Sequence, residues 1–373
     1  MRALRTRILH PGQKIRVLVV DDSVVIRRLV CHALEEDQQI EVVGVAANGR
    51  IALSRIPQLS PDLITLDIEM PEMDGLQLLR ELRREDRPVP VVMFSTMTER
   101  GASATLEALA LGADDYVTKA SNAGSLDVSL ANLRRELLPK IHQFFHMVAP
   151  SKAQPGPEPA ATPPPDQAVA PASAWAPPPM LCRPRAVAIG VSTGGPAALA
   201  AVVPQFPAGF GLPIFIVQHM PPLFTRLLAE RLSTLTPLLV AEAVEGERPM
   251  AGRIYMAPGD QHMRVAASAQ GPVIALDQSA PLNSCRPAVD ALFSSLADVY
   301  GPAVVAAVLT GMGQDGLRGA QQLKARGASI LAQDEATSVV WGMPGAVANA
   351  GLAGQVLPLH ALVPAILRQV DGS

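Results

Sequence analysis

The chain has 373 residues, enough for two ordinary domains and too many for one small one. With 49% hydrophobic and 17% charged residues it is globular in composition, which excludes disorder throughout, and a formal charge of −3 argues against nucleic acid as a partner. The three cysteines, Cys31, Cys182 and Cys285, are too widely spaced for a disulfide framework or a Cys-x-x-Cys metal pair. With no secretory leader and no apolar run near ~20 residues, a soluble, unexported, cytoplasmic protein is expected.

Residues 1–13 read as an N-terminal extension. After it, short apolar runs alternate with amphipathic segments: Val17 to Val20, Val42 to Ala46, Leu63 to Leu66, Val89 to Phe94 and Tyr116 to Lys119. Five strands separated by helices predict a doubly wound parallel α/β sheet over residues 14–138. Ligand sites in such sheets lie beyond the carboxyl ends of the strands, where Asp21, Asp22, Asp67, Ser95 and Lys119 all fall. Clustered carboxylates repel one another and suit a hard cation such as magnesium. Asp67 can then attack a phosphoryl donor while Lys119 and Ser95 hold the phosphoryl oxygens. Any one of these residues alone would pass for a solvated strand-end cap; their joint placement points to chemistry.

The motifs Val-Asp-Asp-Ser at 20–23, Leu-Asp-Ile-Glu-Met-Pro-Glu-Met-Asp-Gly at 66–75 and Asp-Tyr-Val-Thr-Lys at 115–119 resemble a response-regulator receiver domain, flavodoxin-like in fold. The resemblance implies phosphorylation of Asp67 by a histidine kinase of the CheA type. It also implies Mg2+ held by Asp22, Asp67 and the Glu69 carbonyl, with Asp21 acting through water, and a switch pair of Ser95 and Tyr116. Ala120 stands where the family usually has proline, so a cis X-Pro bond after Lys119 is unavailable.

Residues 139–184 hold the end of the last helix and a Pro/Ala-rich linker, with twelve prolines between Pro150 and Pro184. Proline lacks the amide hydrogen, so such a stretch propagates neither helix nor central strand. A second α/β domain follows over 185–370. Strand Ala186 to Gly190 runs into Gly190-Val191-Ser192-Thr193-Gly194-Gly195-Pro196, a tight turn opening a helix, and makes Ser192 a candidate nucleophile. A plain helix cap would explain that turn equally well. Strand Pro213 to Gln218 ends at His219, and strand Val304 to Leu309 leads into Thr310-Gly311-Met312-Gly313-Gln314-Asp315-Gly316. Three strands thus deliver Ser, His and Asp to one sheet edge, the set that activates a hydroxyl. Two other histidines compete as base: His262, read as a loop residue or at most one lining the site, and His360, which would give the chain order of an α/β-hydrolase.

Gly-Val-Ser-Thr-Gly-Gly-Pro, Gln-His-Met-Pro, Ala-Pro-Gly-Asp-Gln-His-Met and Thr-Gly-Met-Gly-Gln-Asp-Gly resemble the catalytic domain of the CheB chemotaxis methylesterases, a Rossmann-like three-layer fold. The resemblance implies hydrolysis of glutamyl methyl esters and deamidation of glutamines on chemoreceptors, without a cofactor for that reaction, by a soluble enzyme working at membrane receptor arrays. Ser192 would be nucleophile, His219 base and Asp315 its orienter, with amides at Thr193 and around Met312 as oxyanion donors. Cys285 departs from the family, which commonly has histidine there. The competing readings are a phosphorylation-controlled binding module, a DNA-binding output, for which a basic recognition helix is missing, and a generic serine esterase dependent on His360.

Overall fold

The computed structural model describes residues 7–10, 12–85, 87, 89–119, 126–147 and 183–372. Ala120, Cys182 and nearly all of the proline-rich linker lie outside these.

The first domain opens with the short strand β1 (Arg7–Leu9), followed by β2 (Ile15–Val20), β3 (Ile40–Ala46), β4 (Leu63–Asp67), β5 (Val91–Ser95) and β6 (Asp115–Thr118). The last five form one parallel sheet in the order β3-β2-β4-β5-β6, as expected from their apolar runs. β4 and β5 are buried along their whole length, because helices cover both faces. Among the described residues, four strand-to-helix turns at the carboxyl edge each carry a side-chain cap. Ser23, Asn48, Asp74 and Thr98 accept from the amides of Ile26, Ile51, Gln77 and Gly101, and Asp74 and Gln77 complete a capping box. Strand β7 (Phe145–Met147) follows the helix Leu126–His142 and pairs in parallel with β1, a contact the sequence pattern does not signal.

The second domain contains β8 (Ala186–Val191), β9 (Ile214–Gln218), β10 (Leu239–Glu242), β11 (Arg253–Met256), the antiparallel pair β12 (His262–Ser268) and β13 (Gly271–Asp277), then β14 (Val304–Val308), β15 (Ser329–Gln333) and β16 (Gln355–Leu357). Seven of them make a parallel sheet ordered β10-β11-β9-β8-β14-β15-β16. The chain leaves β8 toward β9 and later returns on its other side as β14, so the topological switch point lies between β8 and β14. A crevice opens at such a point, and ligands bind there.

The two domains pack against each other. The first-domain helix Glu99–Ala110 lies against the helices Gly195–Val202 and Pro222–Ser233 of the second domain. Tyr116 stacks on Phe224 with ring centroids 4.7 Å apart, and a single apolar cluster runs from Leu106 and Leu109 into Leu199 and Phe224. At the rim, Arg226 pairs with Glu99 at 2.9 Å.

Candidate active site

Ser192 stands on the turn after β8, and its main chain is held from three sides. Its amide donates to Thr310 O (3.0 Å), while its carbonyl accepts from the Gly195 amide (2.8 Å) and from Gln218 Nε2 (3.0 Å). Gly194 takes φ +76°, a conformation side chains disfavour. A Cβ on Gly311 would lie 2.7 Å from Ser192 Cβ, so the Thr310–Gly316 loop can approach Ser192 only because glycine is there. The Thr193 and Met312 amides donate no hydrogen bond among the described residues, and both residues line the pocket.

His219 follows β9, and its Nε2 donates to Asp315 Oδ2 at 2.8 Å. Asp315 is 2% exposed and sits at the N-terminus of the helix Val289–Val299. It accepts from the amides of Val289 (2.6 Å), Asp290 (3.1 Å) and Gly316 (3.0 Å) and from Asn283 Nδ2 (2.9 Å). Burial alone would raise its pKa, but these donors and the imidazole hold it below the usual carboxylate value. Burial likewise opposes charge on His219, yet its bonds to Asp315 and Cys285 raise it to about 10. The second nitrogen, Nδ1, lies 3.6 Å from Cys285 Sγ, and no hydrogen bond joins His219 to Ser192 Oγ among the described residues.

Ser192, Thr193, His219, Met312 and Asp315 share one pocket of about 290 Å³ at the switch point. His262 is neither a loop residue nor a pocket residue. It opens β12, fully buried, with Nδ1 accepting from the Ala288 amide and Nε2 beside Ala280 O, because β12 and β13 form a hairpin that the turn-like Pro-Gly-Asp concealed. His360 is exposed on the terminal helix Leu359–Asp371, away from the pocket. Cys285, which stands where the family commonly has histidine, touches the imidazole itself, a contact that its place in the sequence does not signal.

Part of the pocket wall is receiver. Leu109, Asp114, Asp115, Tyr116 and Lys140 line it. The Thr193 hydroxyl donates to Asp115 Oδ2 (3.0 Å) and lies 3.1 Å from Gln143 Oε1, while Lys140 pairs with Asp115 and sits over the Tyr116 ring.

At the receiver's own sheet edge, ligand oxygens of Asp21, Asp22 and Asp67 lie within 4.8 Å of one another. Lys119 Nζ pairs with Asp67 Oδ1 at 2.7 Å and with Asp21 Oδ2 at 3.0 Å. A hard cation fits this donor set. Burial pushes Asp67 up to about 6 in spite of Lys119. The Glu69 side chain turns outward to Arg100 (3.4 Å), so its main-chain carbonyl remains as the ligand to consider. Ser95 Oγ is engaged with Thr105 Oγ1 (2.5 Å) and Gly101 O (3.2 Å), and Tyr116 is buried under Phe224.

A receiver fold carrying a Ser-His-Asp domain defines the class, a response regulator whose output domain has the form of an enzyme. A family model of the response regulator receiver domain matches residues 17–131, and one of the CheB methylesterase matches residues 187–366. A protein-glutamate methylesterase/protein-glutamine glutaminase of Nocardioides sp. is 52% identical over 362 residues, covering 96% of both chains. One of Trichodesmium erythraeum is 48% identical over 365 residues, covering 96% of this chain and 99% of its own. The crystal structure of the Thermotoga maritima CheB methylesterase catalytic domain is 40% identical and covers 52% of this chain and all of that one, with a TM-score of 0.49. The chain belongs to the CheB family of receiver-linked protein-glutamate methylesterases/glutaminases.

Proposed function

We propose that the chain hydrolyses glutamyl methyl esters, and deamidates glutamines, on chemoreceptor proteins, and that phosphorylation of Asp67 controls it. The observation that carries the enzymatic half is the buried Asp315–His219 pair beside the Ser192 turn at the switch point. His219 Nδ1, the nitrogen not committed to Asp315, takes the Ser192 proton as Oγ attacks the glutamyl carbonyl. The imidazolium, steadied by Asp315, returns that proton to the leaving methanol or ammonia, and water then cleaves the acyl-enzyme by the same path. The Thr193 and Met312 amides supply donors for the tetrahedral oxyanion, where losing one such donor typically costs about a hundredfold or more in turnover. The product carboxylate adds negative charge to the substrate's surface.

For the regulatory half, Asp21, Asp22, Asp67 and the Glu69 carbonyl would hold magnesium, which neutralises phosphoryl charge at Asp67. Asp67 is the nucleophile toward a histidine kinase's phosphoryl group, and Lys119 pairs with the resulting anion. Ser95 and Tyr116 form the switch. Tyr116 lies in the interface that roofs the esterase pocket, so a rotation of its ring away from Phe224 favours the separated domains. Phosphorylation can shift that balance only through its different affinity for the two arrangements. No helix of the described residues is long and apolar enough to cross a membrane. The enzyme works from the cytoplasm on membrane-embedded receptor arrays.

Methanol release from methylated receptor membranes tests both halves, with wild type, Ser192→Ala and Asp67→Asn, each with and without a small phosphodonor and Mg2+. Release that Ser192→Ala abolishes and that phosphodonor accelerates only through Asp67 is expected. No release from wild type that still takes up phosphate would remove the esterase reading.

A further inference from the structure

Asp315 occupies one nitrogen of the catalytic imidazole, and a thiol occupies the other. Cys285 is delivered there by a two-residue hairpin. Leu282 and Cys285 exchange both main-chain hydrogen bonds (3.1 and 2.8 Å), and Asn283 and Ser284 take φ +50° and +62°, the conformation of a type I′ turn. The same hairpin is pinned to the carboxylate end of the series, since Asn283 Nδ2 donates to Asp315 Oδ1 (2.9 Å) and Asp290 Oδ2 (2.8 Å). Cys285, His219 and Asp315 therefore form a continuous thiol–imidazole–carboxylate chain, the arrangement that generates a nucleophilic thiolate. Cys285 is half-buried and lines the pocket, within reach of a small reagent. Cys31, on the receiver helix Val24–Glu35, is the contrast: burial and Glu35 raise its pKa, which keeps it a thiol.

We propose that Cys285 is a second nucleophile of this pocket, a thiol activated by His219 that captures hydroperoxides, and that its oxidation stops turnover at Ser192. This rests on Ser192, His219 and Asp315 being the esterase set. In the step itself the thiolate sulfur attacks one oxygen of hydrogen peroxide. An S–O bond forms, the O–O bond breaks, and the departing hydroxide takes the imidazolium proton and leaves as water. Sulfur loses two electrons and the peroxide gains them. The sulfenic acid stays on Nδ1, the nitrogen that Ser192 needs, and a dithiol reverses the change.

The test treats the full chain with hydrogen peroxide, traps sulfenic acid with dimedone, maps the sites by peptide mass spectrometry, and measures methanol release in parallel samples without the trap. Cys285 should label about tenfold faster than Cys31, and His219→Gln or His219→Asn should slow that labelling about tenfold. Wild-type activity should fall with oxidation and return with dithiothreitol, while the activity of Cys285→Ser should be the same before and after peroxide. The proposal is overturned by labelling of Cys285 no faster than of Cys31, by indifference to both His219 substitutions, or by equal peroxide loss in Cys285→Ser. Untreated wild type that releases no methanol would count against the esterase reading alone, because the labelling ratios decide the thiol separately.

Discussion

Thr193, the residue next to Ser192, donates its hydroxyl across the domain boundary to Asp115 of the receiver at 3.0 Å. A hydrogen bond to a carboxylate contributes about 1.5–3 kcal/mol, enough to weight the closed arrangement about tenfold or more. In Asp115→Ala, methanol release without phosphodonor should rise about tenfold, and phosphodonor should add correspondingly less. An unchanged basal rate would make the contact incidental to control.

Asp67 is predicted to weaken the receiver at neutral pH. Its pKa, raised to about 6 by burial, exceeds the ordinary value of 3.8, so between those limits the folded state binds more protons than the unfolded one. The associated stability is present at low pH and is lost as pH rises through about 6. Thermal unfolding of wild type and Asp67→Asn, compared from pH 4 to 7.5, should show the variant gaining on wild type as pH rises. Mg2+ at pH 7.5 should raise the wild-type midpoint more than that of the variant.

The pH profile of the esterase should start high. General-base action needs neutral imidazole, and His219 is raised to about 10 by Asp315 and Cys285 against the effect of burial. The unphosphorylated full chain should therefore accelerate as pH climbs beyond neutrality. Removing one of the groups that favour the charged ring, as in Cys285→Ala, should move this limb to lower pH. Rates measured from pH 6 to 10 would reveal an unmoved limb, in which case the thiol has no hold on the base.

Gly311→Ala places a Cβ 2.5 Å from Met343 Sδ and 2.7 Å from Ser192 Cβ. Displacing a nucleophile by a fraction of an ångström costs about 10- to 100-fold in rate. The loss should fall on kcat with little change in KM, and thermal unfolding should report a cost of about 1–3 kcal/mol. A KM effect with kcat intact would mean that the loop, rather than Ser192, gives way.

The residues that strand ends deliver were legible. Asp21, Asp67 and Ser192 each follow an apolar run directly, His219 follows one a residue later, after Gln218, and that pattern alone puts them on a sheet edge. Contacts made across long separations were not. Cys285 reaches His219 through a hairpin whose two positive-φ residues, Asn283 and Ser284, lie in a stretch without periodicity. The Asp115–Thr193 bond depends on how two domains dock, which neither domain's pattern encodes. His262 was misplaced because Pro258-Gly259-Asp260 reads as a turn and gives no hint that a buried strand begins two residues later.

The pocket's mixed ancestry has a pharmacological corollary. One wall carries Tyr116, Asp115 and Lys140, the facing wall Ser192, His219 and Met312. A small molecule moulded to both would recognise the joined domains and neither partner alone, and mass action would make it a staple. Such a compound would silence the enzyme without reacting with its serine, and would grip tightest in cells whose receivers are idle.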